Sequence, residues 1–275
     1  MLFLKFLLIT TICIFFIEGK RRNEQKRIKK KTSKNVYALL IVDVQYCFIN
    51  GSLALNRSSA RQNAAEVIPI INKLIQTIPF DVFVYTMDWH PKDHISFIDN
   101  IKDRQEYVLG DHYEKYKIGD LVTYTGPKYW TQQVLWPTHC VQNTFEAQIA
   151  EDLIHPLPNQ KVFYIKKGTD PDVDSYSAFA DNNKLHMTIL NEKLKSKHVT
   201  HVFISGLALD YCVAATALDA KRFNYKTFVI QDACRGVDEK TIKFQLNNFK
   251  KNHIRIVQSA DIKKIIKHEN QKTNL

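Results

Sequence analysis

Cys212, Asp43 and Lys167 have side chains that could together support covalent catalysis by a thiol. Cys212 follows an apolar run that ends at Gly206 and precedes small residues typical of a helix. A helix N-terminus stabilises a thiolate, and its free N–H groups can bind an oxyanion. A nucleophilic thiol also needs a proton acceptor and a nearby cation, for which Asp43 and Lys167 are the candidates. Singly, each residue also fits a structural role, and Lys166 could face inward instead of Lys167.

A second group of side chains has the composition of a metal site. Asp88 and His90 stand two positions apart, His94 follows four positions later, and His139 comes from a distant segment. Two imidazoles and one carboxylate leave open positions for water or substrate, in a set that suits Zn, Fe or Mn. A lone Asp-x-His pair is more typical of a hydrogen-bonded loop, so the metal interpretation depends on where the fold places these residues.

The elements that must position these residues follow from the apolar pattern. Continuous apolar runs are typical of strands buried on both faces of a parallel sheet, and they alternate with helical patterns over Ser58–Thr77, Ala208–Arg222 and Thr241–Phe249. The pattern therefore predicts an α/β fold, a three-layer, doubly wound, mostly parallel sheet. The predicted strands are Val36–Val44, Asp81–Met87, Lys161–Lys166, Val199–Ser205, Thr227–Ile230 and Ile254–Val257.

The reactive residues all fall where these strands end. Asp43 ends the first strand, Asp88 and His90 follow the second, Lys167 ends the third, and Cys212 follows the fourth at the first turn of a helix. Ligands of open α/β sheets bind beyond the carboxyl ends of the strands, so one edge of the sheet should carry both groups. The polar, turn-rich stretch Phe97–Trp130 lacks a clear period and is predicted to be a long loop.

The charge of the chain is concentrated near its N-terminus. Residues 20–34 hold nine Lys or Arg and one Glu, and they account for +8 of the formal net charge of +11. Because the remaining +3 gives the body no basic surface, we expect no nucleic-acid partner.

The chain is predicted to have a targeting segment, a linker and one domain. Residues 1–19 are predicted to be a signal peptide or an N-terminal anchor, residues 20–34 a disordered basic linker, and residues 35–275 a single domain. Membrane association is expected only through an uncleaved first segment. The location stays open between the secretory pathway or a membrane anchor and an organellar or cytoplasmic body.

The body contains four cysteines, Cys47, Cys140, Cys212 and Cys234. Secretion would permit two disulfides, but the spacings are irregular and the placement of Cys212 argues for a free thiol. Glycosylation sequons at Asn50 and Asn56 matter only if the body enters the secretory pathway.

These segments together resemble the nicotinamidase/pyrazinamidase family of isochorismatase-like cysteine hydrolases over about residues 36–258. The resemblance is carried by five stretches. They are LIVDVQYCF from Leu40 with GSL from Gly51, DWHPKDHISF from Asp88, LWPTHCV from Leu135, KG from Lys167 with YSAF from Tyr176, and GLALDYC from Gly206. The Asp-x-His-x3-His and Trp-Pro-x-His-Cys pair is the specific part, because other members of the superfamily generally lack this metal set.

The resemblance implies a role for each site residue. It implies a catalytic triad, two oxyanion donors, a metal-ligand set and an aromatic pocket. The triad would be Asp43, Lys167 and Cys212, and the oxyanion donors would be Ala208 and Cys212, with a cis bond between Leu207 and Ala208. The metal ligands would be Asp88, His90 and His139, with His94 binding directly or through water. The walls of the aromatic pocket would be Phe48, Trp136 and Tyr176.

The activity implied is the metal-dependent conversion of nicotinamide to nicotinate and ammonia in NAD salvage, with Zn as the expected metal and Fe or Mn as alternatives. One rival is another amidohydrolase of the superfamily that acts on a carbamoyl or ureido substrate. A second rival is a metal- or thiol-binding protein without turnover. Homo-oligomer formation stays open.

Overall fold

The fold is that of a computed structural model, which describes residues 34–110, 112–156 and 160–273. Residues 36–266 form one compact unit that contains the sheet and the candidate site. The predicted leader at 1–19, and the basic linker except Lys34, lie outside the described residues. Within the described ranges, no helix is both long and apolar enough to cross a membrane.

A parallel six-stranded sheet forms the centre of this unit, with the strand order β5-β2-β1-β6-β7-β8. The predicted strands are confirmed, with ends that differ by a few residues. Every residue of β1 and β6 is buried, which explains their unbroken apolar runs. The strands are β1 Tyr37–Val42, β2 Val82–Asp88, β3 Leu121–Tyr124, β4 Thr131–Val134, β5 Lys161–Lys167, β6 His201–Leu207, β7 Lys226–Arg235 and β8 Arg255–Val257.

Helices cover both faces of the sheet, which confirms the three-layer prediction. The helices are α1 Tyr46–Ile49, α2 Val67–Thr77, α3 Leu190–Ser196, α4 Ala214–Arg222, α5 Glu239–Lys251 and α6 Ile262–Thr273. One face packs Leu39 and Phe203 against α2. The other face packs Leu40 and Ile204 against α3 and α4. The alternate side chains of each strand thus enter two separate cores.

The helix predicted over 58–77 begins later than expected. Residues 58–60 form a bend and a turn, residues 61–63 are irregular, and a 3₁₀ turn at Ala64–Glu66 leads into α2. The Asn63 side chain accepts the Ala65 N–H and caps this start. The Ala60 N–H bonds to the Val237 carbonyl, so tertiary contacts hold the preceding segment away from helical geometry.

The stretch Phe97–Trp130 is more ordered than a long loop, and the loop prediction was wrong in this respect. It contains 3₁₀ turns at Ile98–Asn100, Lys102–Tyr107 and Tyr113–Lys115, followed by β3. The antiparallel partner of β3 is β4, which lies outside the predicted loop. Ile95, Ile101, Val122, Tyr124 and Leu135 form a small core of their own here.

Candidate active site

The carboxyl edge of the sheet brings the predicted triad together. Lys167 is buried at the end of β5, with its side-chain nitrogen 2.9 Å from Asp43 Oδ2 and 3.2 Å from Cys212 Sγ. The same ammonium donates to the Ser175 carbonyl at 3.0 Å and forms a short hydrogen bond with Asp88 Oδ1. One buried cation therefore contacts the candidate nucleophile and two carboxylates.

The choice between Lys166 and Lys167 is decided by strand alternation. Lys167 is 2% exposed and faces the site. Lys166 is exposed on the opposite face, with its ammonium 3.7 Å from the centre of the Trp89 ring. Since neighbouring strand residues point to opposite faces, Lys167 alone of the two can act on Cys212.

Asp43 is placed to accept a proton. It lies just beyond β1 with a φ of 50°, and the Thr86 hydroxyl donates to its Oδ1 at 2.5 Å. Carboxylate atoms of Asp43 and Asp88 and the sulfur of Cys212 all lie within 4.8 Å of one another. Burial raises the pKa of Asp43 to about 6, although Lys167 lowers it. A carboxylate with this pKa suits general base catalysis near neutral pH.

The Cys212 thiol is free and buried, as expected, but its environment differs from the prediction that a helix N-terminus stabilises the thiolate. Cys212 lies in a π-helical turn, Leu209–Val213, that precedes α4. Burial raises the pKa of the Cys212 thiol well above its usual range, an effect larger than the opposing effect of Lys167. The resting thiol is therefore protonated, and a base must remove its proton before attack.

Gly206 is required in the turn that leads to Cys212. Its φ is +110°, and a Cβ atom there would lie 2.1 Å from the Val42 carbonyl oxygen. Only glycine tolerates both this conformation and this contact with β1. The expected cis bond between Leu207 and Ala208 is present, and Ala208 and Cys212 both line the same cavity.

The predicted metal ligands also converge. Asp88, His90 and His139 are all buried, and their candidate ligand atoms lie within 4.8 Å of one another. Asp88 Oδ2 is 3.6 Å from His90 Nε2 and 3.8 Å from His139 Nε2. Because Lys167 takes Oδ1, the second oxygen of Asp88 is left for a cation.

Hydrogen bonds fix which nitrogen of each imidazole faces this point. His90 Nδ1 lies 2.8 Å from the Gly168 carbonyl, and His139 Nδ1 lies 2.8 Å from the Pro137 carbonyl. A carbonyl can only accept, so each Nδ1 carries a proton and a neutral ring presents the lone pair of Nε2. These carbonyl contacts are typical of metal-ligating histidines.

His94 has the opposite arrangement. The backbone N–H of Ser96 donates to His94 Nδ1 at 3.4 Å, and the Ser96 hydroxyl lies 2.7 Å from the same atom. Since a backbone N–H can only donate, Nδ1 accepts, and the proton of the neutral ring is on Nε2. Burial keeps the pKa of His94 well below its usual value, so the ring is neutral. His94 therefore presents a donor at Nε2, where a metal ligand would need a lone pair.

An aromatic cavity opens between the two groups. The predicted pocket residues Phe48, Trp136 and Tyr176 all line it, beside His139 and Cys212. The Trp136 indole N–H donates to the Tyr176 hydroxyl at 3.2 Å, which fixes two of the walls. A flat aromatic ligand would lie with one end at the histidines and the other at the thiol.

Several residues at the site were not predicted. Leu53, Tyr211 and Val237 complete the cavity wall, and Asp174 and Gln133 lie behind the histidines. Asp174 had a signal in the sequence, because it is an acidic residue in the loop that follows Lys167. No such signal marks Gln133, which enters through the β3–β4 hairpin.

Comparison with known proteins agrees with this geometry. The family model described as "Isochorismatase domain" matches residues 37–261. The chain belongs to the isochorismatase family. Among relatives of this isochorismatase-family chain, the nicotinamidase of Saccharomyces cerevisiae is 36% identical over 73% of this chain and 88% of its own length.

Two solved structures are similar to this isochorismatase-family chain. A nicotinamidase/pyrazinamidase of Acinetobacter baumannii is 35% identical with a TM-score of 0.69, covering 84% of this chain and 99% of its own. The pyrazinamidase of Pyrococcus horikoshii, solved in complex with zinc, is 30% identical with a TM-score of 0.58, covering 81% and 98%.

Proposed function

We propose that the protein is a nicotinamidase, a metal-dependent cysteine amidohydrolase that converts nicotinamide to nicotinate and ammonia. The observation that carries the proposal is the position of Lys167, which contacts both Asp43 and Cys212, the thiol that lines the aromatic cavity. Similarity to proteins named nicotinamidase, at 36% and 37% identity, supports the choice of substrate.

The residues present fit a divalent cation. Asp88, His90 and His139 would hold it through one carboxylate oxygen and two Nε2 lone pairs. This donor set suits Zn, and Fe or Mn also prefer such ligands. When bound, the metal would supply a Lewis acid that attracts the ring nitrogen of the substrate. His139 also borders the cavity, so the metal and the ring would share one space.

The covalent step uses the buried triad. Asp43 takes the proton of Cys212, and Lys167 stabilises the resulting thiolate. The sulfur forms a bond with the carboxamide carbon, and the developing oxyanion is held by the N–H groups of Ala208 and Cys212. The C–N bond then breaks, and Asp43 returns its proton to the leaving nitrogen, which departs as ammonia. Water cleaves the nicotinoyl thioester, which releases nicotinate and the free thiol.

The aromatic walls orient the ring for this attack. Trp136 and Tyr211 pack edge to face, with ring centres 4.8 Å apart, and Phe48 lies 5.7 Å from the His139 ring. Fixed aromatic walls reduce the freedom of a bound ring and hold the carboxamide beside the thiol.

A carbamoyl or ureido amidohydrolase is the alternative within the same chemistry. Such an enzyme could use Asp43, Lys167 and Cys212 but would not need a cation for a pyridine nitrogen. The buried Asp88, His90 and His139 group favours nicotinamide. A protein without turnover would not require a buried lysine that contacts both a carboxylate and a thiol beside an aromatic cavity.

The test is ammonia release from nicotinamide by the purified full-length protein, before and after treatment with a strong chelator. We expect turnover that chelation removes and metal restores. Cys212→Ala should abolish it, while Cys234→Ala, which removes the other free buried thiol of the described residues, should retain it. Near-normal turnover by Cys212→Ala would reject the thioester. Folded, metal-loaded protein that releases no ammonia would exclude nicotinamide and direct the test to carbamoyl and ureido compounds.

A further inference from the structure

Asp174 is a buried carboxylate beside the metal-ligand group for which the triad and the pocket provide no role. It is 2% exposed and lies in the loop after β5. Its Oδ1 accepts the Ser175 N–H at 2.7 Å, and its Oδ2 accepts from Gln133 Nε2 at 3.1 Å. Both donors are neutral, and a buried carboxylate without a close cation is costly. A cation near this carboxylate would offset that cost.

His94 provides a second observation at the same place. Its Nε2 is fully buried and has no hydrogen-bond partner among the described residues. The atom lies 4.0 Å from Asp174 Oδ1, too far for a direct hydrogen bond. The tautomer set by Ser96 places a proton on this nitrogen. A donor and an acceptor thus face each other across a gap that fits one water molecule bonded to both.

His90 connects this pair to the metal-ligand group. The His90 and His94 rings stack with centres 4.0 Å apart, and Asp174, His90 and His94 form a second cluster of ligand atoms within 4.8 Å. Asp174 belongs to this second cluster with His90, but it does not belong to the cluster formed by Asp88, His90 and His139. The carboxylate would therefore be close to a cation held by His90, although it lies outside the three-ligand group.

We propose that Asp174 and His94 form an acceptor–donor pair that acts as a positioning element of the metal centre, strengthening metal binding without coordinating the metal directly. The carboxylate supplies a second negative charge next to the cation, and the pair orders a water on that side of His90. This inference rests on the proposed function only in that it assumes a metal at Asp88, His90 and His139. Groups that orient metal ligands typically contribute about 10- to 100-fold to metal affinity.

The test is metal affinity, measured on metal-free protein by competition with a chromophoric chelator, with Zn²⁺ and Co²⁺ and without nicotinamide. Asp174→Asn keeps the size of the side chain and removes its charge, and we expect affinity to fall about 10- to 100-fold. The visible spectrum of the Co²⁺ protein should also change. Asp170→Asn is the matched control, since Asp170 belongs to the same loop but pairs with Lys128 at 3.4 Å, and its affinity should be unchanged.

His94→Phe provides an independent variant, which keeps a ring against His90 and removes the donor. Its affinity should fall by a similar factor, and by less than that of His139→Ala, which loses a ligand. If Asp174→Asn does not fold, His94→Phe carries the test alone. Affinities within about threefold of wild type and an unchanged Co²⁺ spectrum would overturn the proposal. A loss in His94→Phe equal to that in His139→Ala would also overturn it, because His94 would then be a direct ligand. Since no substrate is used, either result is separate from a failure of nicotinamide turnover.

Discussion

Lys167 and Asp88 form a buried ion pair that joins the thiol site to the metal-ligand group. The ammonium that lies 3.2 Å from Cys212 Sγ also holds Oδ1 of Asp88, while Oδ2 lies 3.6 Å from His90 Nε2. The two groups thus share one carboxylate, and a change in either should be detectable in the other.

Lys167→Gln should therefore affect both catalysis and stability. Without the ammonium, Asp43 and Asp88 become uncompensated buried charges, so metal-free protein should lose about 3–5 kcal/mol of unfolding free energy. Turnover should fall about 100- to 1,000-fold, since the cation beside the thiolate is lost. Bound metal at Asp88 should restore part of the stability. Denaturant unfolding with and without metal, together with ammonia release, measures both effects. A variant as stable as wild type without metal would contradict the shared-carboxylate arrangement.

The pH dependence of turnover should follow Asp43. Because Asp43 must be ionised to accept the thiol proton, kcat/KM should rise with pH through about 6, the value to which burial raises its pKa. The Thr86 hydroxyl bonds to Asp43 Oδ1 and lowers this pKa. Thr86→Val should move the rising limb to higher pH. Thr227→Val, a buried threonine bonded to the Tyr225 carbonyl, is the control. An unshifted limb in Thr86→Val would exclude Asp43 as the titrating base.

Much of the fold and the site was predictable because both depend on strand ends. Apolar runs located the six strands of the central sheet, and a parallel sheet necessarily places its carboxyl ends together. Asp88 and Lys167 are the last residues of their strands, and Asp43 and Cys212 follow the ends of theirs. Their convergence therefore required only the strand assignment, without any knowledge of loop paths.

The parts that could not be predicted depend on loops and on hydrogen-bond direction. Gln133 reaches Asp174 through a short hairpin whose strands have four residues each. The proton position on His94 is set by a backbone N–H of Ser96, which no residue pattern reveals. The order of residues likewise gave no reason to pair Cys47 with Cys140, which lie 93 positions apart.

The Cys47–Cys140 disulfide should stabilise the oxidised protein. Closing a loop of this length is expected to contribute about 4.7 kcal/mol in the chain-entropy view. The bond also ties the helix that carries Phe48 to the segment that carries His139, two walls of the cavity. Cys47→Ser should lower Tm and raise KM. A mild reductant should lower Tm in wild type and leave that of Cys47→Ser unchanged. Equal sensitivity of both proteins to the reductant would show that the bond does not contribute.

Gly168 should be important for metal binding because a side chain there would collide with His90, in addition to the strain of its left-handed backbone. Its φ is +64°, and a Cβ atom would lie 2.4 Å from His90 Cε1 and 2.6 Å from His90 Nδ1. Gly119 has a φ of +92°, and a Cβ atom there would meet no atom of the described residues within 4 Å, so it isolates the backbone effect. Both Gly→Ala variants should lose about 1–2 kcal/mol of stability through the left-handed conformation.

Only Gly168→Ala should also displace His90, which would weaken the hydrogen bond from His90 Nδ1 to the Gly168 carbonyl. Its metal affinity should fall at least about tenfold, as expected when the partner that orients a ligand is disturbed. Chelator competition and thermal unfolding of both variants separate the two effects. Equal metal affinities in Gly168→Ala and Gly119→Ala would mean that His90 can move without loss of the site. In that case the hydrogen bond to the Gly168 carbonyl would not be needed to direct the Nε2 lone pair of His90 toward Asp88.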